Sequence, residues 1–433
     1  MKPGGPLTRA VKFASMTAGV TGSYLGYLAE SLLLDRTARV ERLKATHRKA
    51  GKRLSDTMGE LRGPAMKLGQ ALSLHTGTLP EETLQELATL QMSAPPMHPQ
   101  LVRAQFRQEL GRDPEDVYHS FDPVPFAAAS LGQVHNAVGK DGKKLAVKIQ
   151  YPAIREAIAS DFKWFRAVSR PAQLSRHLPS DTFDELQRQI ELETDYGREA
   201  ENLEFFRDRL RPLGFVIVPE VLREFSTQRV LTMSKLKGRH LEEFLAGKPS
   251  QKLRDQMGAR LVELYYFQIL KLGRFHADPH WGNYLFLPDG SIGLLDFGCV
   301  KRLNEDFVGS LKRLYLFPGR RDSGEFMRVL EQRYRDSGKK LSAASRRAHA
   351  SFAENFYRHV YPPEPEKESV TTDFADPTWV QKYLAEARKL SSSRGTLPEY
   401  LFLARTELGL YQTLHKLKSR VAMSAQVRRY LGA

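Results

Sequence analysis

The alternation of apolar and polar positions divides the chain into a helical beginning, a mixed middle and a mostly helical remainder. Residues 36–92 include long runs without proline, which favours helices, and the Ala-Pro-Pro sequence at 94–96 ends this region. The apolar run 145–150 follows a Lys-Asp-Gly turn at 140–142. With the small-residue stretch 126–138 before it, this run predicts a β-hairpin.

Further along the chain, the charged stretch 182–209 has the pattern of one long helix, whereas 216–218 and 229–236 have the pattern of strands. The remainder is helical in pattern with one exception. The apolar runs 284–287 and 291–295 flank a Pro-Asp-Gly turn and predict a second hairpin. A mixed lobe that precedes a helical lobe is the order expected of a bilobal phosphotransferase.

The charge of the chain points to an anionic partner. Sixty-six Lys and Arg residues stand against fifty Asp and Glu residues in 433, a formal net charge of +16. Such a surplus favours nucleic acid, a membrane surface or a phosphorylated ligand. No helix-turn-helix, zinc-finger or RNP-like signature is present, which argues against nucleic acid. The single cysteine, Cys299, excludes a disulfide framework within the chain and indicates a reducing compartment.

Part of this surplus lies at the N-terminus, where residues 1–60 hold eleven Lys and Arg against five Asp and Glu. The stretch 13–34 is marginally apolar and carries Gly22 and Gly26 as a GxxxG pair. Either a membrane-contacting helix or an ordinary packed helix fits this stretch. The basic flanks favour contact with an anionic membrane, by insertion or by lying flat.

A constellation suited to phosphoryl transfer surrounds the second predicted hairpin. Asp278 and Asn283 have the five-residue spacing of the kinase catalytic loop, and Asp296 begins an Asp-Phe-Gly triplet directly after the hairpin. Phosphoryl transfer needs a carboxylate to deprotonate or position the acceptor, and oxygen ligands for Mg²⁺. We expect Asp278 to be the base or water-positioning carboxylate, and Asn283 and Asp296 to bind Mg²⁺.

A zinc site is the competing interpretation of the same segment, because His276 and His280 are four residues apart and could share a helix face. Pro279 lies between them and disfavours a helix, and no HExxH pattern supplies a base. The phosphotransferase interpretation is therefore favoured.

Lys148, within the apolar run 145–150, is the candidate phosphate-binding lysine. A lysine in such a run costs desolvation energy unless it is paired, whereas on an exposed edge strand it would need no partner. In kinases this lysine binds the α and β phosphates and pairs with a helix glutamate. The stretch 127–134 (AAASLGQV) stands where kinases have a glycine-rich loop. Alanine disfavours positive φ, so we expect a phosphate loop of different geometry.

Together these motifs resemble those of the UbiB-like family of atypical protein kinases, which serves ubiquinone biosynthesis. Residues 67–70 (KLGQ) match the family's KxGQ motif, and residues 191–202 (ELETDYGREAEN) match its ExD motif and helix glutamate. The alanine-rich stretch, HADPHWGN and LLDFG complete the set in the family's order over most of the chain. Trp281 departs from the pattern, since many relatives have proline there. Without the other motifs, 191–202 would be read as a solvated acidic helix face.

The resemblance implies an α+β, bilobal protein-kinase-like fold with an extra helical N-terminal extension that covers the active site. Residues 1–60 would be the basic N-terminal region with the marginal apolar helix, and 61–120 the helical KxGQ extension. Residues 121–236 would be a kinase-like N-lobe with inserted helices, and 237–433 a mainly helical C-lobe.

The resemblance also implies roles for residues. Glu199 would orient Lys148, and Asp195, four residues before Glu199, would share a helix face with it. Met233 would be the gatekeeper before an adenine hinge near Lys235. The gating residues would be Lys67, Gly69, Gln70, Glu193 and Asp195. ATP or ADP would be bound, with Mg²⁺, by Ala127, Ala128, Ala129, Ser130, Gly132, Gln133, Lys148, Met233 and Lys235.

We therefore expect a Mg²⁺- and ATP-binding kinase-like protein, either an ATPase or a kinase of a small molecule or lipid, that supports ubiquinone biosynthesis at a membrane. The alternative is a pseudokinase scaffold that binds nucleotide and lipid and organises biosynthetic enzymes without turnover. Expected partners are nucleotide, an anionic membrane surface or isoprenoid lipid, quinone-biosynthesis enzymes and a second copy of the chain, but no nucleic acid. The expected location is the cytoplasmic side of a membrane, peripheral or N-terminally anchored, or an organelle matrix in a eukaryote.

Overall fold

The structure is a computed structural model that describes residues 6–61, 65, 68–69, 80–88, 96–129, 131–169, 180–316, 323–357, 360, 370–392 and 398–432. These residues belong to two compact units. The first unit contains residues 1–201 and 220–235, and the second contains residues 202–219 and 236–433.

The elements are numbered along the chain. The helices are α1 (Pro6–Ser31), α2 (Arg36–Leu61), α3 (Glu81–Ala88), α4 (Pro99–Leu110), α5 (Pro114–Val117), α6 (Ile154–Ser169), α7 (Ser180–Leu192), α8 (Tyr196–Arg209), α9 (Leu241–Ala246), α10 (Gln251–Tyr266), α11 (Glu305–Leu316), α12 (Ser323–Asp336), α13 (Ala343–Phe352), α14 (Thr378–Ser392), α15 (Pro398–Leu417) and α16 (Met423–Arg428). The strands are β1 (Ser120–Ala129), β2 (Gly132–Val138), β3 (Lys144–Gln150), β4 (Val216–Ile217), β5 (Val230–Ser234), β6 (Arg274–His276), β7 (Tyr284–Phe286), β8 (Ile292–Leu294), β9 (Val300–Arg302), β10 (Thr372–Asp373) and β11 (Arg420–Val421). Short 3₁₀ turns lie at Arg211–Leu213, Arg223–Phe225 and Trp281–Asn283, and π turns at Phe267–Lys271 and Ala353–Tyr357.

In the first unit, α1 packs against α2 and α6, and α2 packs against α3. Phe13, Met16 and Val20 of α1 are buried in one apolar cluster with residues such as Leu54 of α2 and Phe162 of α6. Burying side chains of this size stabilises the fold by about 2 kcal/mol each. The first half of the marginally apolar stretch 13–34 is therefore packed within the protein. This half behaves as the ordinary packed helix that was the alternative to membrane contact.

The GxxxG pair of α1 packs against no other described segment. A Cβ added to Gly22 or Gly26 would meet no atom within 4 Å. Within the parts of the chain that the structure describes, we found no helix with both the length and the hydrophobicity to cross a membrane.

An antiparallel four-stranded sheet, in the order β1-β2-β3-β5, forms the second part of the first unit. Strands β2 and β3 form the first predicted hairpin, and Gly142 adopts φ 81° in their turn. Strand β3 has a partner on each side, with Lys148 opposite Val134 of β2 and Leu231 of β5. The exposed edge-strand interpretation of Lys148 is therefore wrong.

The second unit contains the second predicted hairpin, since β7 pairs antiparallel with β8, and β8 also pairs in parallel with β4. The expectation of helices elsewhere in this unit missed two small strand pairs, β6 with β9 and β10 with β11. Strands of two or three residues are too short to show a period of two, and their partners lie far away in sequence. With its helical beginning, the chain has the predicted α+β class.

One predicted element is wrong. The stretch 182–209 is two helices, α7 and α8, interrupted at 193–195. Asp195 directly precedes α8, and its carboxylate accepts a hydrogen bond from the Gly197 N–H at 3.0 Å. A carboxylate that caps a helix start satisfies an N–H group that has no partner within the helix. Asp195 therefore caps the helix that carries Glu199, and does not share a helix face with it.

Candidate functional site

A buried ion pair joins the sheet of the first unit to the first turn of α8. Lys148 Nζ lies 2.8 Å from both carboxylate oxygens of Glu199, which belongs to the first turn of α8. The two side chains are 7% and 2% exposed. Removing one member of such a pair leaves an uncompensated buried charge, which costs about 3–5 kcal/mol. The structure thus brings together the two residues that the sequence singled out 51 positions apart.

The alanine-rich stretch is a strand end and not a loop. Ala127, Ala128 and Ala129 continue β1 and lie opposite Val134, Gln133 and Gly132 of β2. Residues 130–131 connect the two strands, and Ser130 lies outside the described residues. Alanine suits this extended pairing, whereas the sequence alone had suggested a loop because glycines occupy this place in kinases.

Gln133 was predicted to contact nucleotide, but its side chain forms hydrogen bonds within the first unit. It is 1% exposed, and its Oε1 accepts a hydrogen bond from the Met97 N–H at 2.8 Å. Its Nε2 lies 2.8 Å from His135 Nε2. Both ends of this carboxamide are engaged within the unit, and the nucleotide contact of Gln133 remains a prediction.

The two predicted hinge residues lie at the end of β5. Met233 is 7% exposed and lies opposite Ala146 of β3. The Lys235 N–H donates to the Lys144 carbonyl at 2.9 Å, and Lys235 Nζ donates to Asn136 at 2.6 Å. The gatekeeper and hinge roles of Met233 and Lys235 remain predictions.

Among the predicted gating residues, Lys67 and Gln70 lie outside the described residues. Gly69 is buried, and Glu193 is 8% exposed just after the end of α7. The contact between the KxGQ residues and the ExD carboxylates therefore remains a prediction.

In the second unit, the structure brings Asp278 and Asn283 together. Asn283 ends the turn Trp281–Asn283, and its Nδ2 donates to Asp278 Oδ2 at 3.2 Å. Arg405 of α15 donates to the other oxygen, Oδ1, at 3.0 Å. Arg405 is 7% exposed and Asp278 is 18% exposed, so this ion pair is largely withdrawn from water.

Helix α15 approaches the Asp278 segment closely. A Cβ on Gly409 of α15 would collide with Pro279, so only glycine permits this distance. One turn of helix earlier, Arg405 reaches Asp278. The helix thus contacts the residue after the candidate base as well as the base itself.

Asp296 is held by its own backbone turn and by two neighbours of that turn. Its Oδ1 accepts a hydrogen bond from the Gly298 N–H at 2.9 Å. Asn202 Nδ2 donates to the Phe297 carbonyl at 2.9 Å, and the buried Phe297 ring packs on Phe206 at 4.9 Å between ring centroids. These contacts fix the triplet that starts with Asp296.

His276 links the main chains of the two candidate carboxylates. Its Nε2 donates to the Asp296 carbonyl, and its Nδ1 accepts from the Asp278 N–H at 3.4 Å. His280 instead accepts from the Gly282 N–H at 3.0 Å. His276 and His280 therefore form hydrogen bonds with different main-chain groups.

The donor atoms of the second unit fit a magnesium ion. Asn283 Nδ2 faces Asp278, which turns the amide oxygen away from that bond, and Asp296 supplies a carboxylate. Mg²⁺ prefers such oxygen ligands and completes its shell with phosphate and water. No group of three His, Cys, Asp or Glu residues suited to a metal occurs in the described parts of the chain.

The charge of Asp278 also affects its surroundings. Burial, and secondarily the charge of Asp278, raise the pKa of the Tyr284 hydroxyl well above its usual range. Tyr284 therefore stays protonated throughout the range in which enzymes usually work.

Sequence reasoning missed Arg405, Asn202, His276 and Gly409. Arg405 lies 127 residues beyond Asp278 in an ordinary helix, so no local pattern pointed to it. Asn202 lay within the motif at 191–202 but had received no role. His276 had been considered only as a metal ligand.

The comparisons with known proteins agree with these motifs. The profile of the ABC1 atypical kinase-like domain matches residues 89–330, more than half of the chain. The mitochondrial atypical kinase COQ8B of Rattus norvegicus is 35% identical over 263 residues, which cover 59% of this chain and 49% of that protein. The mitochondrial atypical kinase COQ8 of Saccharomyces cerevisiae is 32% identical over 276 residues, covering 62% and 54%. The chain thus spans about half the length of these relatives.

Among solved structures, the Rv3197–erythromycin complex from Mycobacterium tuberculosis is similar, with a TM-score of 0.59 and 26% identity. The likeness covers 86% of this chain and 93% of that one. The chain belongs to the ABC1 family of atypical kinase-like proteins, the UbiB-like family that its motifs resemble.

Proposed function

We propose that this chain is a Mg²⁺-dependent, nucleotide-binding enzyme of the atypical kinase class. The observation that carries the proposal is the buried bidentate pair between Lys148 and Glu199. Burying two charges is expensive, and a hydrophobic pair would usually be as stable or more so. A lysine held in this way in a central strand would be available to bind phosphate, which supports the proposal.

The other residues would divide the chemistry among them. Asp278 would accept a proton from the acceptor or orient a water molecule. Asn283 and Asp296 would hold Mg²⁺, which when bound neutralises charge on the phosphate oxygens. Lys148 would bind the α and β phosphates of ATP or ADP, with Glu199 fixing its position.

The proposals for the phosphoryl acceptor and for the pathway rest on family membership alone. We propose that ATP is hydrolysed, or that a lipid or small molecule is phosphorylated, in support of ubiquinone biosynthesis. The two relatives described above are mitochondrial, and an organelle matrix is therefore the proposed location in a eukaryote.

An anionic membrane is the proposed surface on which the enzyme works. Leu25, Leu28, Leu32 and Leu33, at the end of α1 and in the turn that follows, are 55–90% exposed. The basic start of α2 adjoins them, and exposed leucines beside cations suit a helix end that lies in the headgroup region. Changing Leu32 and Leu33 to Glu is expected to abolish co-sedimentation with anionic vesicles, whereas Leu101→Glu, at an exposed site on α4, should not.

A pseudokinase scaffold is the second candidate, and one observation favours it. Asp278 is held on both oxygens, by Asn283 and by Arg405, and a base restrained in this way could be inactive. Turnover decides between the two functions.

Phosphate release from Mg²⁺-ATP in the presence of anionic vesicles tests the enzyme. Asp296→Asn removes a carboxylate proposed to hold Mg²⁺, and Asp336→Asn removes an exposed carboxylate of the same unit as a matched control. The enzyme proposal predicts a large loss of rate for the first variant only. Equal, slow release by the wild type and Asp296→Asn would favour the scaffold.

A further inference from the structure

We propose that Tyr196 is a positioning residue that sets the distance between Gly132, at the start of β2, and Lys148. This inference rests on the proposed nucleotide site and adds to it a residue that the family motifs do not assign. Tyr196 is the first residue of α8, directly after the helix cap Asp195 and three residues before Glu199.

The ring of Tyr196 lies against the candidate phosphate-binding lysine. Lys148 Nζ is 4.9 Å from the ring centroid, within the range of cation–π attraction. Tyr196 is 1% exposed, so this attraction acts in a site from which water is largely excluded. The face of an aromatic ring attracts a cation through its quadrupole, which supports the ammonium group from a direction other than that of the Glu199 carboxylate.

The hydroxyl end of the same side chain lies against the hairpin. A Cβ on Gly132, the first residue of β2, would lie 2.7 Å from the Tyr196 hydroxyl oxygen and would also collide with the Ile149 carbonyl. Gly132 is therefore seated directly on Tyr196 and on the strand that carries Lys148. Any larger residue there would push the hairpin turn away.

The main chain of Tyr196 is itself fixed, which makes the residue a rigid spacer. Its N–H donates to the Gln228 carbonyl at 3.0 Å, and the helix it begins is capped by Asp195. One side chain thus touches the lysine proposed to bind phosphate and Gly132, within the stretch that stands where kinases have a glycine-rich loop. The alanines at 127–129 have less backbone freedom than the glycines that stand there in kinases. A fixed spacing at Tyr196 would therefore set the position of this end of the hairpin.

The two contacts can be tested separately with two variants. Tyr196→Phe keeps the ring over Lys148 and removes the oxygen against Gly132. Tyr196→Leu removes both contacts. Tyr118→Leu is the matched control, because Tyr118 is equally buried in the same unit and bonds to Thr232.

The first measurement needs no nucleotide. Acylation of Lys148 by an amine-reactive ester, followed by peptide mass spectrometry, reports how firmly the ammonium group is held. We expect Tyr196→Leu to raise the rate about fivefold, the factor that corresponds to about 1 kcal/mol of cation–π attraction. Tyr196→Phe and Tyr118→Leu should remain near the wild-type rate.

The second measurement is the Kd of Mg²⁺-ATP. We expect Tyr196→Leu to weaken binding about tenfold and Tyr196→Phe about threefold, since only the hairpin contact is lost in the latter. Tyr118→Leu should lower the melting temperature without changing the Kd of the remaining folded protein.

Two results would overturn the proposal. One is an unchanged acylation rate and Kd in Tyr196→Leu. The other is an equal change in Tyr118→Leu, which would mean that any loss of core packing has the same effect. If the wild type binds no nucleotide, the proposed function fails, but the acylation rates still decide whether Tyr196 positions Lys148.

Discussion

Arg405 donates a hydrogen bond to Asp278 at 3.0 Å, so the candidate base of this protein is ion-paired to a helix that begins 120 residues further along the chain. The pair is largely buried, and Asn283 holds the second oxygen of the same carboxylate. This arrangement fixes the direction of Asp278 before any substrate binds. It also makes the candidate active site depend on α15, which carries none of the sequence motifs.

The first prediction concerns this ion pair. Arg405→Ala should lower the free energy of unfolding by about 3 kcal/mol, because it leaves Asp278 without its partner in a largely buried place. It should also lower kcat about tenfold or more with little change in the Kd of nucleotide, since Arg405 orients the base. Chemical denaturation and steady-state ATP hydrolysis measure the two effects.

Arg420→Ala is the control for that variant. Arg420 forms an exposed ion pair with Asp373 at 3.5 Å, and its loss should cost less than about 1 kcal/mol. An increase in kcat in Arg405→Ala would contradict the positioning role and indicate that the arginine restrains the base.

The Lys148–Glu199 pair should behave as a coupled unit. Lys148→Met or Glu199→Gln alone should destabilise the protein by about 3–5 kcal/mol, because each leaves a buried charge unpaired. The double variant should be much less destabilised than the sum of the two, and denaturation of all four proteins gives the coupling energy. Additive losses would show that the charges are not mutually compensated. Lys163→Met, at an exposed position of α6, should be nearly neutral.

A third prediction concerns pH. Glu407 of α15 is buried and accepts hydrogen bonds from Tyr411, Tyr383 and Tyr357 at 3.0, 3.2 and 3.3 Å. Burial, only partly offset by these bonds, raises the pKa of Glu407 from 4.5 to about 7. Between these two values the folded protein holds a proton that the unfolded chain has released. The contribution of Glu407 to stability is therefore full below pH 4.5 and is lost as the pH rises to 7.

Glu407→Gln removes this dependence while keeping a group that can accept hydrogen bonds. The difference in unfolding free energy between the variant and the wild type should shift in favour of the variant by about 3 kcal/mol between pH 4.5 and 8. Denaturation curves of both proteins at several pH values provide the measurement. A difference that does not vary with pH would show that Glu407 is ionised in the folded state.

The close approach of α15 to Pro279 gives a fourth prediction. Gly409→Ala should destabilise the protein by about 1–3 kcal/mol and reduce turnover, because the new methyl group displaces the segment that carries Asp278. Gly22→Ala is the matched control, since a Cβ there meets open space within α1. That change should stabilise the protein by about 0.5–1 kcal/mol through helix propensity. Equal effects of the two changes in thermal denaturation would contradict the proposed contact.

Local motifs located Lys148, Glu199, Asp278 and Asp296, because each sits in a short pattern next to a strand or helix that the sequence also predicts. The partner of Asp278 was not predictable, since Arg405 is brought to it only by the packing of α15. Strand pairing also settled two points that the sequence left ambiguous. Pairing with β2 makes the alanines at 127–129 the end of a strand, and pairing with β5 places Lys148 in an interior strand. The break at 193–195 was hidden because polar capping residues resemble the charged helix around them.

The nucleotide site is tested most directly by the melting temperature of the wild-type protein at saturating ATP. The measurement is made once with Mg²⁺ and once with EDTA. Binding to the folded state alone stabilises it by about 2.7 kcal/mol at a hundred times Kd. We expect a clear rise with Mg²⁺-ATP, a smaller rise with EDTA, and a loss of the difference in Asp296→Asn. An unchanged melting temperature at saturating nucleotide, with and without Mg²⁺, would contradict the nucleotide site.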